Sequence, residues 1–273
     1  MKKKFFKKLL AATLVCSFAI PNVAFAQNLN VSSYTITEDS IEKDVVDIDN
    51  GIKLISWENE NEIVFEEYRK DILVNHIVVD KLTNTAISYM DDSKPVTLEI
   101  PINRSSNLVE SKASSTQLID TVKASNTITS ENKSMKIYEN SSSGLATDYV
   151  LPNTVKDLAE LATQLVINLG VGRVVANNIV SVLISMGLCW LVDKVYELSS
   201  ETVRAIRYEL DYYGQDKNTS KKSDILEGGR KYKVTSGSKI NEIFYEGLTY
   251  EDSSNKIANM LANNLYGSDF KVY

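Results

Sequence analysis

Between positions 161 and 192 the chain carries one formal charge, Arg173, just after Gly170-Val171-Gly172. The flanking sequence is rich in Lys, Glu, Asp, Ser and Asn. An uncharged run of that length must be covered by the rest of the protein or enter a membrane.

Helical periodicity dominates this region. Val155, Leu158, Ala162, Leu165 and Leu169 recur at i, i+3, i+7, i+10 and i+14 on one stripe, with Lys156, Glu160, Thr163 and Gln164 off it. Asn153 or Thr154 serves as a cap, and Asp157 falls in the first turn where the helix dipole favours an acid. Gly170 is a natural stop and Gly172 frees the chain to reverse. The spacing predicts a second helix over 173–198. A third, capped by Ser199 or Ser200, carries Val203, Ile206 and Leu210 to Gly214.

The second of these contains 19 residues without a charge, 174–192, about 28 Å of helix at 1.5 Å per residue and close to a hydrocarbon core. Its Asn178, Ser181 and Ser185 form one narrow stripe, and Ser181/Ser185 make a small-xxx-small step that lets helices approach closely. Three readings follow in order of weight: a buried hairpin of a water-soluble domain, a hairpin that leaves its core at a target membrane, and a permanent span. Under the first two, the residues that matter are Gly170, Gly172, Arg173, Asn178, Ser181, Val182, Ser185, Cys189 and Trp190. Charging Val182 on the apolar face is expected to abolish any membrane activity.

The N-terminus reads as an export leader. Lys2, Lys3, Lys4, Lys7 and Lys8 precede an apolar run over 9–20, Pro21 breaks it, and Ala24-Phe25-Ala26 is a cleavage site. Val15 before Cys16 argues against lipidation. Cleavage after Ala26 gives a secreted chain of residues 27–273 and takes the charge from −6 to −11 by removing five lysines and no acid. So acidic a chain is not built for nucleic acid or for electrostatic capture by anionic lipid. Only Cys189 then remains, which leaves no intrachain disulfide.

Residues 27–102 show β runs divided by turn-like clusters: Tyr34-Thr35-Ile36-Thr37, Ile52-Lys53-Leu54-Ile55, Ile63-Val64-Phe65, Ile72-Leu73-Val74, Ile77-Val78-Val79 and Ala86-Ile87-Ser88-Tyr89. They predict an antiparallel meander with one face buried. Residues 103–150 are rich in Ser, Thr and Asn and read as a linker, interrupted by a strand at Met135-Lys136-Ile137-Tyr138. Residues 151–214 form the helical region. Residues 215–273 form a small C-terminal α+β segment, with a helix near 253–264 between strands at 240–250 and 268–273. The expected class is α+β with a central apolar hairpin.

Chemical motifs are sparse. Gly170-Val171-Gly172-Arg173-Val174-Val175-Ala176 matches a dinucleotide fingerprint, with Asp193 about 20 residues on, but a helix rather than a strand precedes it. Leu151-Pro152-Asn153-Thr154 matches the start of a sortase signal, yet more than a hundred residues follow. His76 is the only histidine and has no Cys or His at ligand spacing. Asp44, Asp47 and Asp49 before Gly51 approach a calcium loop, but Ile48 falls where an oxygen ligand belongs. Glu66-Glu67 and Asp91-Asp92 are neighbours that a strand turns to opposite faces, which makes poor acid/base pairs. No catalytic residue, cofactor site or metal site emerges, and a non-enzymatic protein is expected.

The layout as a whole, carried by Asp157-Leu158-Ala159, Gly170 to Arg173, Ser185-Met186-Gly187, Tyr212-Tyr213-Gly214, Lys231-Tyr232-Lys233-Val234 and Phe244-Tyr245-Glu246-Gly247, resembles the geobacillin-26 group of large secreted bacteriocins of Gram-positive bacteria. The resemblance spans essentially the exported chain and implies an unmodified antimicrobial protein, acting on related bacteria at their membrane and matched by an immunity protein. The −11 charge departs from the cationic habit of membrane-active peptides and argues against a purely electrostatic attack. The alternative is a non-catalytic extracellular binding protein of adhesin-like or envelope-associated kind, with the meander as its recognition element.

Overall fold

A computed structural model describes residues 30–38, 40–48, 51–89, 94–100, 115–192, 195–198 and 202–273. The leader with its Ala26 cleavage site, Asp49, Asp91-Asp92, residues 103–114 of the expected linker, Asp193 and the Ser199/Ser200 cap lie outside them. Among the described residues the fold is mostly β, with 55% in strands, 20% in helices, and three sheets. This overturns the α+β class with a central helical hairpin.

The first sheet is a meander of seven antiparallel strands in chain order, β1 (Val31–Glu38), β2 (Ile41–Ile48), β3 (Ile52–Glu58), β4 (Glu62–Arg69), β5 (Ile72–Asp80), β6 (Thr85–Ser88) and β7 (Val96–Thr97). Period-two alternation puts Val46, Ile48, Ile52, Leu54, Ile63, Phe65, Ile77, Val79 and Ala86 on one face, all buried.

Residues 115–150, expected as linker apart from a strand at 135–138, instead pair as β8 (Ser115–Asn126) and β9 (Asn132–Val150), the second containing that strand. Ser and Thr are compatible with a ladder, and Ala124, Met135 and Ile137 supply enough apolar surface on one side to anchor it. Then come β10 (Thr154–Val155), α1 (Leu158–Leu169) and α2 (Arg173–Ser185). The cap of α1 is Asp157 itself, accepting from the Glu160 N–H at 2.7 Å, so neither Asn153 nor Thr154 caps it.

The second helix ends 13 residues short of the expected 198. Gly187 takes a left-handed φ of 64°, and the Gly187 and Leu188 amides close the helix onto the Ile184 and Leu183 carbonyls. The chain beyond turns into β11 (Cys189–Val192) and β12 (Val195–Leu198), which with β10 make a three-stranded sheet. The expected third helix is β13 (Arg204–Asp216). Its Val203/Ile206/Leu210 spacing imitates a helix, but Ile206, Tyr208, Tyr212 and Tyr213 favour a strand, and 13 residues of ladder between two neighbours decide the matter.

The C-terminal residues hold the expected strand–helix–strand order, and their strands belong to a larger sheet. Strands β14 (Leu226–Ser236), β15 (Ile240–Glu246) and β16 (Phe270–Val272) join β13, β9 and β8 in a six-stranded sheet ordered β15-β14-β13-β9-β8-β16. Helix α3 (Tyr250–Tyr266) packs Ile257, Ala258, Leu261, Ala262 and Leu265 against Leu210, Tyr212, Met135 and Ile137 of that sheet. Helices α1 and α2 share the other, larger core with the meander's inner face and with Ala205, Tyr232 and Val234 of the six-stranded sheet. They are a layer between two sheets. Ten of the twelve residues of α1 are buried, including Thr163 and Gln164, which lie off the stripe, and Asn168.

Leu165 is fully buried at the centre of that layer. Leu165→Ala is expected to cost about 2–5 kcal/mol, read from denaturant unfolding; a loss below about 1 kcal/mol would show that the layer collapses freely onto the void.

Candidate functional site

Three polar seams fix the helix layer to its two covers. The first grips α2 at its start. Arg173 is 7% exposed; its Nη1 donates to Asp44 Oδ2 at 2.5 Å and to the Ser56 carbonyl at 3.1 Å, with Glu58 Oε1 3.8 Å from Nε. One turn on, Asn177 Nδ2 donates to Ser56 Oγ at 2.7 Å. A buried guanidinium is tolerable only with such partners. Asp44, Ser56 and Glu58 are therefore inward polar residues at one end of the meander's inner face.

The second seam grips the start of α1. Glu67, fully buried on β4, accepts from the Leu158 N–H, from Arg69 Nε at 2.8 Å and from the Tyr196 hydroxyl at 3.4 Å. Asn75 Nδ2 donates to Asp157 Oδ2 at 2.7 Å, and Ser88 Oγ donates to Asn75 Oδ1 at 2.7 Å. Burial pushes both Glu67 and Asp157 above the usual carboxylate range, although Arg69 and the helix amides pull the other way. Two carboxyls converge here, but on a helix end inside the core and not in a cleft.

The third seam holds the reversal. Gly170 caps α1 at φ 68°, a left-handed conformation, and its carbonyl accepts from the Tyr232 hydroxyl at 3.2 Å and from Arg230 Nη1 at 3.4 Å. Arg207 Nη1 donates to the Leu169 carbonyl at 3.3 Å. A Cβ at Gly172 would collide with Glu246 Oε1, which receives the Tyr232 hydroxyl bond on its other oxygen at 2.5 Å. Gly170 and Gly172 thus serve close docking onto the six-stranded sheet.

The remaining expected residues are dispersed. Asn178 and Ser185 are exposed, while Ser181 and Val182 are half-buried. The polar stripe meets no second helix; Ser181 Oγ donates to the Asn177 carbonyl at 2.8 Å and lies 3.5 Å from Ser33 Oγ on β1. Cys189 is buried on β11, its thiol pushed up to about 12 by burial, and Trp190 is half-buried beside it. No helix among the described residues is long and apolar enough to cross a membrane. The 174–192 stretch divides into helix and strand, so it is not a single membrane-length helix.

A site absent from the sequence reading lies on the opposite face of the meander. One face of such a sheet is ordinarily solvated and polar. Here the outward positions carry Tyr34 and Ile36 on β1, Ile41 and Val45 on β2, Ile55 and Trp57 on β3, Val64 on β4, Val78 on β5 and Ile87 on β6, with Tyr89 just after it. Tyr34 is 46% and Tyr89 43% exposed, Ile55, Trp57, His76, Val78 and Ile87 are half-buried, and Val45 and Val64 are buried beneath their neighbours. His76 stands among the rings, with centroids 6.2 Å from Trp57 and 5.6 Å from Tyr89 in edge-on contact, and its Nδ1 is 2.8 Å from Glu66 Oε1. Burial disfavours the Glu66 charge, but hydrogen bonds from His76 and Tyr68 outweigh it and hold that carboxyl below its ordinary value. Lys43 Nζ sits 4.9 Å above the Trp57 ring. Glu66 and Glu67 thus part company, one to this aromatic face and one to the helix seam. The signal was present in the outward parity of Tyr34, Trp57, His76 and Tyr89, once register is known.

Comparison with known protein families, curated proteins and solved structures returned no match. Among the described residues no group of three or more His, Cys, Asp or Glu side chains is arranged to hold a metal ion.

The second seam carries a pH signature. A carboxyl whose folded pKa is raised favours the folded state most when protonated, so its contribution is complete below the unfolded value of about 4.3 and fades as pH rises through the folded value. Melting temperatures at pH 5 and pH 7 should therefore show a gain on acidification that shrinks in Glu67→Gln. An equal gain in both proteins would exclude Glu67 as its source.

Proposed function

We propose that the protein is a secreted, non-catalytic antimicrobial protein of the bacteriocin kind, which engages the envelope of related bacteria as a folded β protein through the outward face of its meander. Membrane perturbation by the 158–185 helices is a later step that requires them to leave their two covers. The observation that carries the recognition half is the aromatic outward face around Trp57, His76 and Tyr89. Its exposed members, Tyr34, Ile36, Ile41 and Tyr89, border the half-buried Trp57 and His76, and exposed apolar and aromatic surface of this kind marks an interaction site. The layout resemblance and the export leader support the antimicrobial half. The same face favours a second reading, an envelope-associated binding protein without killing, and growth inhibition separates the two.

Residues 27–273, produced without the leader, should bind whole cells of related Gram-positive strains and inhibit their growth. Trp57→Ala together with Tyr89→Ala should reduce both by tenfold or more with little change in unfolding midpoint. Binding without inhibition would leave only the second reading. Undiminished binding by the double variant would remove the face from the account.

The release step has its own test. Ser33 and Ser181 hold their hydroxyls 3.5 Å apart across β1 and α2, which makes them the pair to cross-link. Oxidised Ser33→Cys/Ser181→Cys protein should lose dye release from liposomes of target lipids and regain it on reduction. Equal leakage by both forms would show that α2 acts in place or not at all.

A further inference from the structure

The ends of the three sheets are unequal. Strands β7 and β10 have two residues each, β16 three and β11 four, and β15, with seven, carries Glu242 and Glu246. Short or charged edges of this kind discourage pairing with another chain. Strand β1 has eight residues, none charged from Val31 to Thr37, no proline, and an uninterrupted register with β2. Its outward Tyr34 and Ile36 are 46% and 37% exposed. Beyond the reach of β16, residues 115–123 of β8 are open as well, but they carry Asp120, Lys123 and a register shift; among the described residues β1 is the one long sheet edge without such a device.

Two further features lie beside that edge on the inward side. A cleft of about 180 Å³ between β1, β2 and α2 is lined by Ser33, Thr35, Asp44, Val174, Asn177 and Asn178 among others. Asn177, 4% exposed, leaves its Oδ1 without a hydrogen-bond partner at this border, while Asp44 is engaged by Arg173 and by Thr35 Oγ1 at 3.0 Å. The cleft therefore calls for uncharged hydrogen-bond donors. The open row of α2, Val174, Asn178, Ser181 and Ser185, lies on this side and includes the small-xxx-small step.

We propose that β1 is a homodimer interface, pairing antiparallel with β1 of a second copy about a two-fold axis at Tyr34. Side-chain period requires inward residues to stay inward, which admits registers that pair odd with odd and even with even. Centred on Tyr34, that register sets Tyr34 opposite Tyr34, Ser33 opposite Thr35, Ser32 opposite Ile36 and Val31 opposite Thr37. No charge faces another. The second copy's inward row is Val31, Ser33, Thr35 and Thr37, and its hydroxyls are donors suited to the mouth of the cleft, where the Asp44 charge is already met by Arg173. The same two-fold turns the open row of α2 toward its counterpart, giving the Asn178/Ser181/Ser185 stripe a helical neighbour that it lacks within one chain. The outward aromatic faces of the two meanders become one continuous sheet surface. A strand pair with one helix row is a small interface, so association depends on concentration.

Sedimentation equilibrium of residues 27–273 reads this directly. The wild type should form a concentration-dependent dimer. Tyr34→Lys and Tyr34→Glu each place like charges face to face at the axis and should be monomeric, with unfolding midpoints near that of the wild type because the site is an exposed edge. Mixed one to one, the two variants should form a heterodimer. A wild type that stays monomeric to its solubility limit, or a dimer insensitive to both charges, would overturn the proposal. Mass is the readout, so the result stands apart from whether the protein kills bacteria.

Discussion

A helix with apolar surface on nearly every side exists in water only between two covers. Helix α1 is such a helix, and the rest of the molecule follows from that demand. The meander covers one flank and the six-stranded sheet the other, with β10, β11 and β12 contributing Val155, Cys189, Tyr196 and Leu198 to the same core. Burial alone would leave the layer free to slide. The seams at Arg173, at Glu67/Asp157 and at Gly170 give it one register, since each polar group buried without its partner costs about 1–3 kcal/mol.

This arrangement changes what the apolar stretch can mean. A chain that kept its helices for a membrane would have little reason to meet the meander through a guanidinium, two carboxyls and an asparagine–serine pair, and the six-stranded sheet through the Leu169 and Gly170 carbonyls. In the folded state the meander turns outward an aromatic face and a neutral edge. The helices supply rigidity to that surface and could act otherwise only after the seams part.

How far the residues foretold this varies with the physics involved. Alternation in 31–97 is local and strong, so Ile52-Lys53-Leu54-Ile55 and Ile77-Val78-Val79 lie in strands as read. The stop at Gly170 is likewise local. Strand β13 was misread because Val203, Ile206 and Leu210 fit a 3.6 period, while its real environment comes from β9 and β14, distant in sequence. The Ser/Thr/Asn tract was misread for the same reason: its order comes from pairing and from α3 packing more than a hundred residues later. The outward face was missed because seeing Tyr34, Trp57, His76 and Tyr89 together requires the cross-strand register. Glu66-Glu67 was legible only as a negative, and its two roles depend on which elements face each side.

Cys189 has a consequence of its own. It is the only cysteine beyond residue 26, 1% exposed on β11, with a thiol pushed up to about 12. Thiolate is the reactive form, so a thiol this deep and this weakly acidic is inert while the layers stay together. Any condition under which it reacts with a small alkylating reagent is one in which β11 has parted from the helices. The protein thus carries its own gauge of opening, with the rate of labelling as the dial.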